Sequence, residues 1–254
     1  KYDVTSELLS EKSKAARQKE YEKYIEVLNK VSAQLDTANR QESNRFSSEF
    51  RHYKTEESHL MTTAFLKAYH YENISDLRSQ IAVDSICFMR LERDFGSFDD
   101  WQKDFIACGM SARNGFVITA YSFLLRRYIN VIVDNQSQGV PVACMPVIVL
   151  DVSDGAYYRD YLDDRKSYMT GMMKEFDWEK IAARLEQTSY LVPGLEVTLE
   201  REGAGEDVTW CHKGGITEMV SGRSDVISGP WRVTGKATYK ELAQVIEGDK
   251  LVSK

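Results

Sequence analysis

The sequence predicts an α+β fold: an N-terminal helical hairpin, then a small antiparallel three-stranded sheet packed with helices, then a C-terminal extension carrying a β-hairpin. Three observations predict it. Apolar residues recur every three or four positions through the first third of the chain, the period of a half-buried helix. At Gly115 that period gives way to β-branched and aromatic runs. Helical sequence resumes at Asp154 and is followed by an alternating, glycine-centred stretch over 194–215, the pattern of a hairpin. The expected divisions are 1–90, 91–187 and 188–254.

In chain order, Tyr24, Val27, Leu28, Val31 and Leu35 mark one face of a long helix. After the polar stretch 36–45, Phe46, Phe50, Leu60, Phe65, Leu66 and Tyr69 mark a second, and the two form a hairpin. Residues 73–112 hold two more helices, with Ser75 and Ser97 as N-caps. The runs 115–125, 128–134 and 145–152 read as three strands. Helical sequence then extends from Asp154 to about Leu185, with breaks near Arg165 and Phe176.

The 254 residues, 43% of them apolar, suffice for a substantial core. A formal charge of -6 argues against a broad electrostatic grip on nucleic acid and favours protein partners. Cys87, Cys108, Cys144 and Cys211 lie far apart with no CxxC pair, which fits neither a zinc framework nor a disulfide scaffold and implies reduced thiols. No apolar run approaches the roughly 20 residues that cross a bilayer, so a soluble chain with no membrane span is expected. Neither a phosphate-binding P-loop nor a strand-borne G-x-G-x-x-G is present. Cys211 and His212 are adjacent residues on opposite faces of a strand and make no catalytic pair.

The stretch "VIVLDVSDGAYYRDY" (147–161) ends a run of buried-type aliphatics in Asp151. A carboxylate there is costly to bury unless it holds a metal, accepts several hydrogen bonds or faces water. Its context carries a resemblance. "RDFGSFDDWQKDF" (93–105) and the closing segment 150–185, with Asp151, Tyr157, Tyr158, Tyr161, Arg165, Tyr168 and Trp178 at matching spacings, resemble the iron/manganese superoxide dismutase family. "YIEVLN" (24–29) and "NIS" (73–75) resemble it more weakly.

That resemblance implies a redox-active iron or manganese held by three histidines and one aspartate, a donor set suited to such ions. Asp151 stands at the aspartate position, while Gly155, Ala16 and, within a few residues, Ala64 stand at the histidine positions. Tyr24 and Gln136 fall where the family places residues around the metal-bound solvent, and Asp154 falls on its dimer-bridging acid. His59 and His70, eleven residues apart on the second helix, are the available replacements and read instead as surface or half-buried residues. The expectation is therefore no metal and no cofactor, with Asp151 held by local hydrogen bonds near a helix start.

Members of this family that lack the metal ligands occur in the small subunit of mitochondrial ribosomes, and the chain resembles them. The resemblance implies a non-catalytic structural component of the mitochondrial matrix. Its expected partners are other mitochondrial ribosomal proteins, a second dismutase-like subunit as heterodimer and limited contact with rRNA. Two rival readings stand beside it: a superoxide dismutase with an atypical metal site, and a free-standing protein-interaction module.

Overall fold

The computed structural model describes residues 6–74, 81, 85–191, 196–199 and 208–211. Helix α1 (Glu11–Thr37) opens at Ser10, whose hydroxyl accepts the Ser13 amide. Helix α2 (Glu49–Asn73) opens in the same way, at Ser48 with the Arg51 amide. Each cap satisfies one amide that the helix itself cannot. The two helices join through Val31, Leu35 and Leu60, with Tyr24, Leu28 and Phe50 packed against them. Helix α1 begins well before its apolar period does, because the first two buried positions on its inner face are the polar Ser13 and Arg17.

Helix α3 (Ile86–Phe95) is capped by Ser85; the expected cap Ser75 lies outside the described residues. Helix α4 (Phe98–Ser111) starts at Ser97, as its sequence indicates. Three strands follow, β1 (Phe116–Ser122), β2 (Arg127–Val133) and β3 (Cys144–Asp151), in the antiparallel order β2-β1-β3. The β1–β3 register shifts between Thr119 and Ala120, beside Pro146 on an edge strand, where a missing N–H is tolerated. Gly115 is required by close approach: a Cβ there would lie 1.9 Å from the Val133 carbonyl oxygen.

Strand β1 is buried along its whole length, which places the core on both faces of the sheet. One face packs Phe116, Ile118, Ala120, Val133 and Val149 against Leu66 of α2. On the other, Trp101 packs tilted against Phe105 and edge-on against Trp178 and donates through Nε1 to Thr119 Oγ1 at 2.9 Å. The expected breaks near Arg165 and Phe176 separate helices α5 (Asp154–Tyr161), α6 (Arg165–Lys174) and α7 (Trp178–Leu191).

The chain divides into two compact units, 1–185 and 186–254. In the second, β4 (Glu196–Leu199) pairs antiparallel with β5 (Val208–Cys211), within the stretch that the sequence marks as a hairpin. Among the described residues, no helix is long and apolar enough to cross a membrane.

Candidate functional site

Strand β3 carries Asp151 at its C-terminal end, under the last turns of α2. Asn73 fixes that alignment, because its side chain accepts the Val149 amide at 2.7 Å and donates to the Val147 carbonyl at 3.4 Å. Asp151 is then surrounded on every side. Lys67 Nζ of α2 lies 3.0 Å from Oδ2, and the amide and hydroxyl of Ser153 donate to Oδ1 at 2.9 and 2.6 Å. The Asp151 amide donates to His70 Nδ1 at 3.4 Å, and Tyr168 donates its hydroxyl proton to the Asp151 carbonyl at 2.8 Å. Lys67 also reaches Glu20 Oε2 of α1 at 3.2 Å and lies over the Tyr24 ring.

Four formal charges thus meet between α1, α2 and β3: Arg17 and Lys67 against Glu20 and Asp151. Burial alone would push the Lys67 ammonium below the usual lysine range, but Asp151 and Glu20 hold it above. Asp151 is likewise kept below the ordinary carboxylate range despite burial, by Lys67, His70 and the two Ser153 bonds. His70 behaves in the opposite way. Its burial outweighs the pull of Asp151, and with Arg17 and Lys67 adding to the effect its pKa falls to about 3, so the imidazole is neutral. Burial raises the Tyr71 and Tyr168 hydroxyls, which act only as neutral hydrogen-bond groups here.

The positions marked by the sequence are scattered around this cluster. Tyr24 donates its hydroxyl proton to Gln136 Oε1 at 2.5 Å, bringing that pair together. Ala16 and Gly155 are exposed, and a Cβ on Gly155 would meet nothing within 4 Å. Ala64 is buried on α2, yet the group that α2 presents to Asp151 is Lys67, one turn further along. Asp154 is exposed and pairs with Arg165 at 3.7 Å. His59 reaches Ser137 Oγ at 2.6 Å. His70 is 1% exposed, which corrects its reading as a surface or half-buried residue. The local bonds expected at Asp151 are present through Ser153, but an ion pair dominates them.

Lys67, Glu20, Arg17 and His70 are not singled out by the sequence motifs. A signal for two of them was nevertheless present: Leu60, Thr63, Ala64, Lys67, His70 and Tyr71 follow helical spacing on one face, and all are buried. A lysine on such a stripe requires a buried carboxylate, and Asp151 is that carboxylate.

An iron or manganese ion held by three histidines and an aspartate does not fit these residues as they stand. The face of Asp151 that would ligate an ion is taken by the Lys67 ammonium. Among the described residues, no group of three or more histidine, cysteine, aspartate or glutamate side chains could hold a metal.

Comparison with known proteins finds a family similarity for the stretch that carries Asp151. Residues 86–184 match the model of the iron/manganese superoxide dismutases, C-terminal domain. That stretch, with its three-stranded antiparallel sheet and flanking helices, is similar to the C-terminal domain of this family. The chain is 36% identical over 95 residues to a protein named superoxide dismutase [Mn] 2 from Halobacterium salinarum, covering 37% of this chain and 46% of that one. It is 34% identical over 100 residues to superoxide dismutase [Mn] 1 of the same organism, covering 39% and 50%. Against superoxide dismutase [Fe] 2, chloroplastic, of Oryza sativa subsp. japonica it is 31% identical over 98 residues, covering 38% of each. The chain spans about half the length of the first two of these relatives.

These relatives correct the functional expectation. Proteins 34–36% identical to the chain are named as superoxide dismutases, which are enzymes, so the reading of a non-enzyme is overturned, and its ribosomal and mitochondrial assignment is left without support. The missing imidazoles bear on how an ion would be held; they do not decide whether the fold serves a catalyst.

Proposed function

We propose that the chain is an enzyme of the superoxide dismutase class with an atypical site, its substrate being superoxide. One observation carries the reading: the 36% identity over 95 residues to a protein named as a manganese superoxide dismutase. The charge arrangement supports it. Superoxide is a small anion, and Lys67 and Arg17 supply positive charge close to a groove lined by Ala16, Lys19, Glu20, Tyr24 and Leu60. Two of those lining residues touch Lys67: Glu20 bonds its ammonium, and the Tyr24 ring lies 5.6 Å away. The site is atypical because its cation next to Asp151 is a side chain.

The test is superoxide consumption by the full chain as purified, after refolding with manganese and after refolding with iron, with metal content measured on the same samples. Consumption proportional to protein and above a heat-denatured blank in at least one preparation is expected. Rates equal to the blank in all three would refute the reading.

A further inference from the structure

The turn joining β1 to β2 and the loop entering β3 lie side by side at one end of the sheet, tied by the Phe123 amide, which donates to the Ala143 carbonyl at 3.0 Å. Both carry large apolar side chains into solvent. Leu124 is 84% exposed, Leu125 54% and Val142 96%, and no residue from Gly139 to Leu150 is charged. Much of the backbone beneath them is satisfied internally. Leu125 donates its amide to Ser122 Oγ at 3.2 Å, Arg126 donates to the Ser122 carbonyl at 2.7 Å, and Pro141 has no amide to satisfy.

Cationic groups border this apolar tip. Arg126 and Arg127 are exposed and follow Leu125 directly, and Arg93 of α3, its side chain 48% exposed, acts with Arg126 on the Tyr121 hydroxyl at the base of the turn. The carboxylate of that group, Asp94, is 6% exposed and engaged by Arg93 and by the Tyr128 amide. Arg126 sits at φ 53°, left-handed backbone that glycine adopts more easily. A guanidinium is thus kept where the turn alone favours glycine.

We propose that this tip is a peripheral membrane anchor: Leu124, Leu125 and Val142 enter the interfacial region of an anionic lipid bilayer while Arg126 and Arg127 meet its phosphate headgroups. Exposed apolar patches mark contacts with proteins or with membranes, and two features here favour the bilayer. The apolar side chains stand at loop ends over a backbone whose amides are bonded internally, so little is lost when that backbone leaves water. The charge is also complementary. With a formal charge of -6 on the whole chain, anionic lipid repels the rest of the surface and attracts this end, which sets the orientation. Three apolar side chains give only shallow, reversible insertion by themselves, so the arginines are the necessary second signal. The anchor is independent of dismutation.

The probe is vesicles of phosphatidylcholine with about a third phosphatidylserine, sedimented with the full chain at about 0.1 M salt beside vesicles of phosphatidylcholine alone. Saturable binding to the anionic vesicles is expected, at least about tenfold tighter than to the neutral ones and weakening as salt is added. Arg126→Gly and Arg127→Gln should each weaken it about fivefold, the effect of one basic residue near such a surface. Leu124→Ser should weaken it at least about fivefold through lost apolar burial. Because its φ suits glycine, Arg126→Gly should leave the unfolding temperature unchanged, which separates lost binding from lost folding. Leu124→Trp should bind as the unaltered chain does, with its added fluorescence quenched by lipid brominated on the acyl chain. Equal binding to both kinds of vesicle, no binding to either, or undiminished binding by folded Arg126→Gly and Leu124→Ser would overturn the proposal. Self-association in the vesicle-free control that Leu124→Ser abolishes would overturn it too, and give the tip to a second copy of the chain.

Discussion

Lys67 Nζ lies 3.0 Å from Asp151 Oδ2, with the two side chains 1% and 5% exposed. A buried pair of this kind contributes little compared with an apolar pair of the same shape, yet removing one partner strands the other. Lys67→Met should therefore destabilise the chain by about 3–5 kcal/mol, and adding Asp151→Asn should recover much of that loss. Urea midpoints of the two single variants and the double decide it. If the two single effects simply add, the pair is not coupled and its geometry is incidental.

His70 sets a pH dependence that the pair does not. Asp151 is shifted down, so its stabilisation is present above the ordinary aspartate value and is lost only as pH falls through its lower folded value. Lys67 is shifted up, so its contribution is present below the ordinary lysine value and is lost only as pH rises through its higher folded value. Both are constant near neutrality. The folded His70 pKa of about 3 lies below its unfolded value, so its contribution is complete above about pH 6.5 and falls as pH drops from there toward the folded value. The slope should be about 1.4 kcal/mol per pH unit between pH 6 and 4. Urea unfolding of the unaltered chain and of His70→Gln across that range should differ by this slope; equal slopes would mean that His70 accepts a proton in the folded state.

Gly115 predicts a purely steric effect. Its missing Cβ would sit 1.9 Å from a backbone oxygen, Val133 O, which cannot rotate away as a side chain would. Gly115→Ala should cost more than about 3 kcal/mol, near the severe end for a single change, because the loop entering β1 must shift away from β2. Thermal unfolding measures it, and a loss below about 1 kcal/mol would show that the loop relaxes freely.

The fold was largely legible in the sequence because its elements declare themselves locally. Ser97 caps α4, and the β-branched runs at 116–122 and 127–133 pair directly with each other. The site was legible only in part. Asp151, Tyr24 and Gln136 could be placed by spacing, but Lys67 could not, since its partner is 84 positions away and only the packing of α2 on β3 brings them together. His70 and Arg17 were hidden for a related reason: a polar residue on a mostly apolar helix face looks the same in sequence whether it lies at the surface or beneath it. The expectation of a non-enzyme rested on absent imidazoles, a local signal, while the similarity to a protein named as a superoxide dismutase extends over 95 residues.

Manganese binding in designed variants separates the role of Lys67 from that of the missing imidazoles. Gly155 has open space for a side chain, so Gly155→His can be introduced without a clash. Alone it should leave manganese affinity unchanged, because the Lys67 ammonium still occupies the Asp151 oxygen that an ion would need, and two positive charges cannot share that position. Replacing the ammonium by an imidazole, in Lys67→His with Gly155→His, removes that charge and brings the donors to Asp151 and two histidines. Affinity should then rise at least about tenfold, since each added imidazole replaces water in the ion's coordination shell. Titration of manganese into the two folded variants, followed by the loss of the free-ion electron paramagnetic resonance signal, measures the difference. Tight binding by Gly155→His alone would mean that Lys67 swings away from Asp151 at little cost, and the ion pair would then be a gate rather than a fixed replacement for the metal.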